Sequence, residues 1–468
     1  MPTGEPVAEA SSQGETEAST RKKSRSSYFV TTSASEKENL TDQWARAFYK
    51  NRIPFSVADD PEFRRAMEMM RPGVGDQLLN KKKLAGPSLD KEYDKIDGEM
   101  RINLQGKDVV LSQDGWSNVR REPIIASCIH VPGHSFLHDA IDVGDVTKSA
   151  EYCADLAKKS IENAEEKYGC RVIGFVSDNE AKMLRVRAIL EEWRGNTFIT
   201  YGCLAHYLNL VQAEATPPQV KGQLVEVQKF FRNHQRPQAQ LKSKGGKSQL
   251  PNDTRWLSHR EFLETFLHNY QFYLDICDDD SNSIPPNIKR ILDNRQIKEG
   301  ANHMLEQLDL VSHSLNLLQS DTSNLGDATN IWLKLSSSEV LSDELKAAIK
   351  PRMQKAITPF HMIAKMLLNQ SESRLPIPMK ESAMKLLLEL DPSYPGIMAA
   401  FEMRDTSLFP TFAFTASVKE KLSPIKYWEY VNANTESEPL KKFCKFAVAV
   451  LTCPTSSAGD NITSVIYQ

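Results

Sequence analysis

Two aspartates in this sequence stand where chemistry could gather. Asp114 closes the run Leu111-Ser112-Gln113-Asp114-Gly115-Trp116, and Asp178 follows Gly174-Phe175-Val176-Ser177, just ahead of Asn179. Apolar runs bounded by turn residues read as buried strands, so both carboxylates sit at strand ends. In an open mixed sheet, side chains at strand ends face a shared crevice, where residues distant in sequence can meet. Paired carboxylates are hard oxygen ligands suited to Mg²⁺ or Mn²⁺. Two such ions can clamp the attacking and leaving oxygens of a phosphodiester. Each aspartate could instead cap the turn or helix after its strand, as Asp178 could before residues 179–193. Two of them at matching strand ends favour the ligand reading.

The elements that must position this pair follow from a change of periodicity between residues 108 and 215. Strands are predicted at 108–112, 123–131 and 135–143, the last two joined by the turn pair Pro132-Gly133. A helix over 149–168, a buried strand over 172–176, a helix over 181–193, a short strand over 197–201 and a helix over 205–213 complete the order. Upstream, residues 39–86 read as helices, with a break at Pro54 and a new start at Asp60 and Pro61. A further helix carries Tyr93, Ile96 and Met100. Beyond 220 the pattern is helical at 261–274, 296–318, 342–365 (interrupted at Pro351 and Pro359) and 379–390. Residues 1–36 are polar and read as a disordered tail, in which Arg21-Lys22-Lys23-Ser24-Arg25 could act as a nuclear-import signal.

Composition narrows the partners. The net charge of −3 gives no global pull toward polyanions, so nucleic-acid binding must come from a local patch. Lys229, Arg232, Arg236, Lys242, Lys244 and Lys247 form one, with no acidic residue between them. A solvated loop is the alternative for that stretch. No run of about 18 apolar residues occurs, which argues against a membrane partner. The seven cysteines are scattered without paired spacing, as expected of reduced thiols in the cytosol or nucleus. His130, His134 and His138 flank the hairpin turn and read as surface histidines.

These residues, in this order, resemble the hAT superfamily of cut-and-paste DNA transposases. Asp114-Gly115-Trp116-Ser117 is similar to the family's first catalytic aspartate with its tryptophan, and Ser177-Asp178-Asn179 to the second. Cys203-Leu204-Ala205-His206 is similar to a Cys-x-x-His stretch of the family, and Thr254-Arg255-Trp256-Leu257-Ser258 to its Arg-Trp segment. Ile53-Pro54-Phe55-Ser56 and Asp60-Pro61-Glu62-Phe63 resemble the region ahead of the core. Pro424-Ile425-Lys426-Tyr427-Trp428 and Cys453-Pro454-Thr455-Ser456-Ser457-Ala458 resemble the C-terminal dimerisation segment.

The resemblance implies an RNase H-like α/β core with a mixed five-stranded sheet, interrupted by a large all-helical insertion. The boundaries it implies are a tail at 1–36, a helical region at 37–105, the first part of the core at 106–225, the insertion at 226–420 and a C-terminal segment at 421–468. It implies that Asp114 and Asp178 hold catalytic Mg²⁺ or Mn²⁺. Cys203 and His206 would support the core, and Arg255 and Trp256 would contact DNA, the indole stacking on a base. A buried anchor is the alternative for Trp256. Two ligands do not make a zinc site, so Cys203 and His206 read as packing residues.

The family's third carboxylate, a glutamate, falls on Asn461 in a gapless alignment, and a one-residue slip brings Asp460 there instead. Asparagine offers a neutral oxygen, aspartate is a methylene shorter, and one residue turns a helix by about 100°. No cysteine precedes Cys128, so no zinc-binding recognition finger is legible ahead of the core. The resulting expectation is a transposase-derived nuclear protein that binds DNA, forms a dimer or higher homo-oligomer, and has an impaired catalytic site. An active metal-dependent transposase or nuclease is the enzyme alternative. A helical scaffold without a DNA role, with Asp278-Asp279-Asp280 as mild support, is the third.

Overall fold

Strand β1 (Asp108–Ser117) begins with Val109, Val110 and Leu111, none of which is exposed to solvent. A strand buried on both faces reads as a continuous apolar run, and β1 takes the centre of a five-stranded mixed sheet. Its neighbours are β2 (Pro123–Val131), antiparallel, and β4 (Arg171–Ser177), parallel. Outside them lie β3 (His134–Asp142), antiparallel to β2, and β5 (Ile199–Gly202), parallel to β4, giving the order β3-β2-β1-β4-β5. The edge strand β3 carries the alternating burial of a half-solvated strand, whereas the four residues of β5 are all buried. The computed structural model describes residues 33–118, 120–214, 218–252, 257–279, 282–368, 375–415, 418 and 421–457.

The sheet is covered on both faces. On one, Val109 and Leu111 of β1, Ile129 of β2 and Phe175 of β4 share a core with two helices. These are Ala150–Tyr168, which leads from β3 into β4, and Ala181–Arg194, which leads from β4 into β5. The first is capped by Ser149, whose hydroxyl accepts from the Tyr152 N–H, and ends at Gly169 with φ 64°. That left-handed conformation suits glycine. On the other face, Val110, Val176 and Tyr201 pack with Leu204 and Leu208 of helix Leu204–Glu214. Helices Arg295–Gln319 and Glu438–Thr452 add Leu315, Ala447 and Leu451 to the same core.

The chain thus leaves the sheet after β5 and runs through helices from Pro218 to Met403. It returns with Glu438–Thr452 against β1. The segment after that helix is stitched to the sheet: Tyr201 Oη donates to the Pro454 carbonyl (2.7 Å), and the Leu204 N–H to the Thr455 carbonyl (3.1 Å). Ser112 Oγ donates to the Ser457 carbonyl (3.1 Å).

Contact density divides the chain into units Met1–Glu99 and Met100–Gln468. Within the first, Ser33 and Glu36 form a capping box that starts helix Ala34–Asn51. Residues 33–36, expected in a disordered tail, are therefore the start of a helix, while the rest of that expectation and the basic cluster 21–25 lie outside the described residues. Ala45, Phe48, Ala58 and Leu84 form the unit's core, and Asp60 caps Pro61–Met70 as its sequence predicts.

Three further expectations are corrected. Helix Asp343–Ala356 contains Pro351 rather than stopping there, and the break falls before Pro359, which opens helix Pro359–Leu368. A proline nine residues into a helix removes one backbone bond, a loss that the burial of Leu345, Ile349 and Ala356 offsets. Strand β1 runs on to Ser117, because pairing with β2 continues through Ser117↔Pro123. His130 is not on the surface: it is 3% exposed, with Nε2 2.7 Å from Ser112 Oγ and Nδ1 2.8 Å from Ser135 Oγ. His134 is exposed and His138 half-buried. Among the described residues, no helix is long and apolar enough to cross a membrane.

Candidate functional site

The parallel register of β1 with β4 pairs Gln113 with Ser177. Asp114 on β1 and Asp178 just past the end of β4 each lie one residue beyond that pair, at the same end of the sheet. Both line one pocket of about 170 Å³, together with Gln113, Glu180, Lys148 and Lys182. Asp114 is half-buried, and its Oδ1 accepts from the Gly115 N–H (2.8 Å). Burial pushes its carboxyl up to about 6, the negative charges of Asp178 and Glu180 push the same way, and the Gly115 N–H opposes them. A carboxyl raised by burial and by like charge is one that gains from a nearby cation.

Asp178 is held by local hydrogen bonds to its carboxylate and its carbonyl. Its Oδ1 accepts from the Glu180 N–H (3.1 Å), so it also caps the turn that follows its strand. Its carbonyl accepts from Arg187 Nη1 (2.9 Å), which also donates to Ser177 Oγ (2.7 Å). Arg187 is 6% exposed. Burial lowers its pKa, while Tyr207, Asp178 and Glu191 act to raise it. Next to Asp178, Asn179 Nδ2 donates to the Cys203 carbonyl (2.8 Å), and the Cys203 N–H donates to the Ser177 carbonyl (2.7 Å). A Cβ at Gly202 would overlap Asn179 Oδ1, so glycine is what lets the end of β5 close over this loop.

The sequence-predicted residues that are described fall into three groups. Asp114 and Asp178 come together. Cys203 is buried beside the Asp178 loop with its Sγ 3.6 Å from Ser456 Oγ, while His206 is half-buried on helix Leu204–Glu214. The cations Lys229, Arg232, Arg236, Lys242, Lys244 and Lys247 are exposed on helices Pro218–Asn233 and Gln235–Ser243 and the turn that follows. None of them lines the carboxylate pocket, and Lys244 pairs with Asp275 (2.9 Å). Arg255, Trp256, Asp460 and Asn461 lie outside the described residues.

Sequence reasoning missed Gln113, Lys148, Glu180, Lys182 and Arg187. For Arg187 a signal existed, because it falls on the apolar stripe Met183, Val186, Leu190 of its helix. An arginine there must find a buried partner. Among the described residues, no three His, Cys, Asp or Glu side chains are grouped so as to hold a metal ion. Two carboxylates are nevertheless within the range Mg²⁺ uses, since it keeps several waters and takes one or two carboxylates plus substrate phosphates.

No curated protein matches the chain. Residues 79–229, which span the sheet and both aspartates, match the family model described as a domain of unknown function, DUF659.

Proposed function

We propose that this chain is a transposase-derived DNA-binding protein on an RNase H-like core, whose Asp114 and Asp178 bind Mg²⁺ or Mn²⁺ beside a DNA phosphate. The observation that carries the reading is the meeting of the two strand-end aspartates in one pocket, with the Asp114 carboxyl pushed up to about 6. The strand order β3-β2-β1-β4-β5, closed by the C-terminal helix after a long run of helices, supports it. So does the matched domain, which is found in hAT-like transposase-related proteins. The described residues supply two acidic ligands, and the resemblance puts neutral Asn461 where a third is needed. Strand cleavage is therefore lost, and the metal serves to hold DNA. The protein acts in the nucleus as a homo-oligomer, and the cations between Lys229 and Lys247 provide DNA contacts away from the pocket.

One observation favours the alternative of retained cleavage. Glu180 lines the same pocket, although its carboxylate is committed to Lys182 at 2.9 Å. A strand-cleavage assay in Mg²⁺ or Mn²⁺ on wild type, Asp178→Asn and Glu180→Gln decides between the two. The binding reading predicts no cleavage above the Asp178→Asn background. Metal-dependent cleavage lost in both variants would make the protein an active nuclease with Glu180 as its third acid.

A further inference from the structure

A second pocket, of about 270 Å³, lies under the β2–β3 turn, toward the other end of β1 from Asp114. It shares no lining residue with the carboxylate pocket. Its walls are the turn Pro132-Gly133, residues 319–324 between helices Arg295–Gln319 and Leu325–Ser336, and the chain on either side of helix Glu438–Thr452. Those walls are tied together. The Gly133 N–H donates to the Asp321 carbonyl (3.1 Å), Asn324 bridges to Pro454, and Thr455 Oγ1 donates to the Leu318 carbonyl. Such a cavity is formed before a ligand arrives.

No lysine or arginine lines it among the described residues, and half-buried Asp321 is the carboxylate that does. Asp321 Oδ1 lies 3.2 Å from Ser135 Oγ, but that hydroxyl is contested. Ser135 Oγ also lies 2.8 Å from His130 Nδ1, and burial holds the His130 ring neutral by lowering its pKa to about 4. Because Ser112 Oγ donates to the Ser457 carbonyl, the ring donates to Ser112 from Nε2 and must accept at Nδ1. The single Ser135 proton then serves His130, and Asp321 is left short of a donor. A half-buried carboxylate in that state gains from a cation brought from outside. Beside it Val131, Pro132, Pro424, Ile425 and Leu451 give the pocket apolar walls, poor neighbours for a hydrated metal ion and good ones for a hydrocarbon stem.

We infer that this pocket binds a primary ammonium carried on a short hydrocarbon stem, with Asp321 taking the charge and Val131, Pro424, Ile425 and Leu451 covering the stem. The three donors of an ammonium supply what Ser135 cannot, and a charge-assisted bond to a half-buried carboxylate is stronger than one in water. A free alkylamine and a lysine side chain both present this group. The inference stands apart from the reading of Asp114 and Asp178, since it uses none of the residues assigned to metal or DNA.

The test titrates the full chain, by ligand-observed NMR, with n-butylamine, with n-butanol as its neutral match, and with lysine blocked at both backbone ends. Wild type should bind butylamine, and butanol roughly tenfold more weakly. Asp321→Asn should weaken butylamine by a similar factor and leave butanol unchanged, which loss of the pocket's shape would not do; Asp321→Glu should keep part of the affinity. Thr322→Trp, at the exposed rim, should exclude both ligands with an unchanged thermal midpoint. Blocked lysine binding beside butylamine supports the site with lysine side chains among its ligands, and butylamine alone supports it as a site for free amines. Butanol binding as tightly as butylamine, or equal butylamine binding by wild type and Asp321→Asn, would overturn the proposal. Should Asp321→Asn fail to fold, undiminished butylamine binding by Thr322→Trp would overturn it instead.

Discussion

The residues that matter most are held against their own electrostatics. Asp114 has a folded-state pKa above that of an ordinary carboxyl, so the stability due to its protonated form is complete below about pH 4 and is lost as pH rises through 6. At pH 7.5 the ion is a strained guest, and Asp114→Asn should raise the unfolding free energy by roughly 1–3 kcal/mol. That gain should vanish below pH 4. Thermal melts at the two pH values check this, and destabilisation at pH 7.5 would mean the carboxylate is a structural anchor.

His361 works in the opposite direction. It is fully buried, its Nδ1 accepts from the Thr358 N–H (3.2 Å), and burial lowers its pKa to about 3. An acceptor bond from a backbone N–H fixes the neutral ring, so its stabilising part is present above pH 6.5 and fades as pH falls toward 3. Between pH 6 and 4 its slope opposes that of Asp114, but His130, whose pKa burial lowers to about 4, acts in the same direction as His361, so the wild type should lose stability at up to about 1.4 kcal/mol per unit. His361→Gln should be less stable at pH 7 and flatter across that range, by denaturant midpoints. The two aspartates were legible in sequence because each follows an apolar run. Gln113, Lys148 and Glu180 were not, because nothing local distinguishes a side chain that only folding brings to the pocket. His130 was misread because its hairpin looked exposed, whereas the ladder from Val110↔His130 to Ser112↔Cys128 places it in the sheet interior.

At the scale of elements, the connection from β4 to helix Ala181–Arg194 does the positioning. Arg187 reaches back along its helix to the Asp178 carbonyl, Asn179 ties the loop to Cys203, and Gly202 leaves room for Asn179. Gly202→Ala should therefore cost roughly 1–3 kcal/mol and weaken Mg²⁺ binding more than an equally destabilising change in the Met1–Glu99 unit. Calorimetric titration beside a denaturant melt separates the two effects, and unchanged Mg²⁺ affinity would show that the loop does not set the pocket. The strand and helix order from 108 to 214 was readable because periodicity changes sharply at each turn. Strand ends were less so: β1 gains Gln113–Ser117 from ladder bonds to β2, a partner that local pattern does not reveal. Pro351 was read as a stop, although packing of its helix outweighs the missing N–H.

At the scale of the molecule, the sheet needs helices that lie far along the chain. Ala447 and Leu451 join the core built on Val110 and Val176, so the C-terminal part is integral to the fold around the pocket. Sequence reading could place that segment only through family resemblance, since no local pattern says which distant helix covers a sheet. DNA binding belongs to this scale too, because the exposed cations of Pro218–Asn233 and Gln235–Ser243 do not line the pocket. Lys229→Glu with Arg232→Glu should weaken retention on DNA at low salt and flatten its dependence on log salt by roughly one unit per lost phosphate contact. An unchanged salt slope would assign the DNA surface elsewhere.

The central claim is that Asp114 and Asp178 act jointly on one divalent ion. Its most direct test is a double-mutant cycle of Mn²⁺ affinity, read from the free-ion electron paramagnetic resonance signal of wild type, Asp114→Asn, Asp178→Asn and the double variant. Shared ligation predicts a loss of at least about tenfold in each single variant, with little further loss in the double. Four equal affinities, or losses that simply multiply, would contradict it.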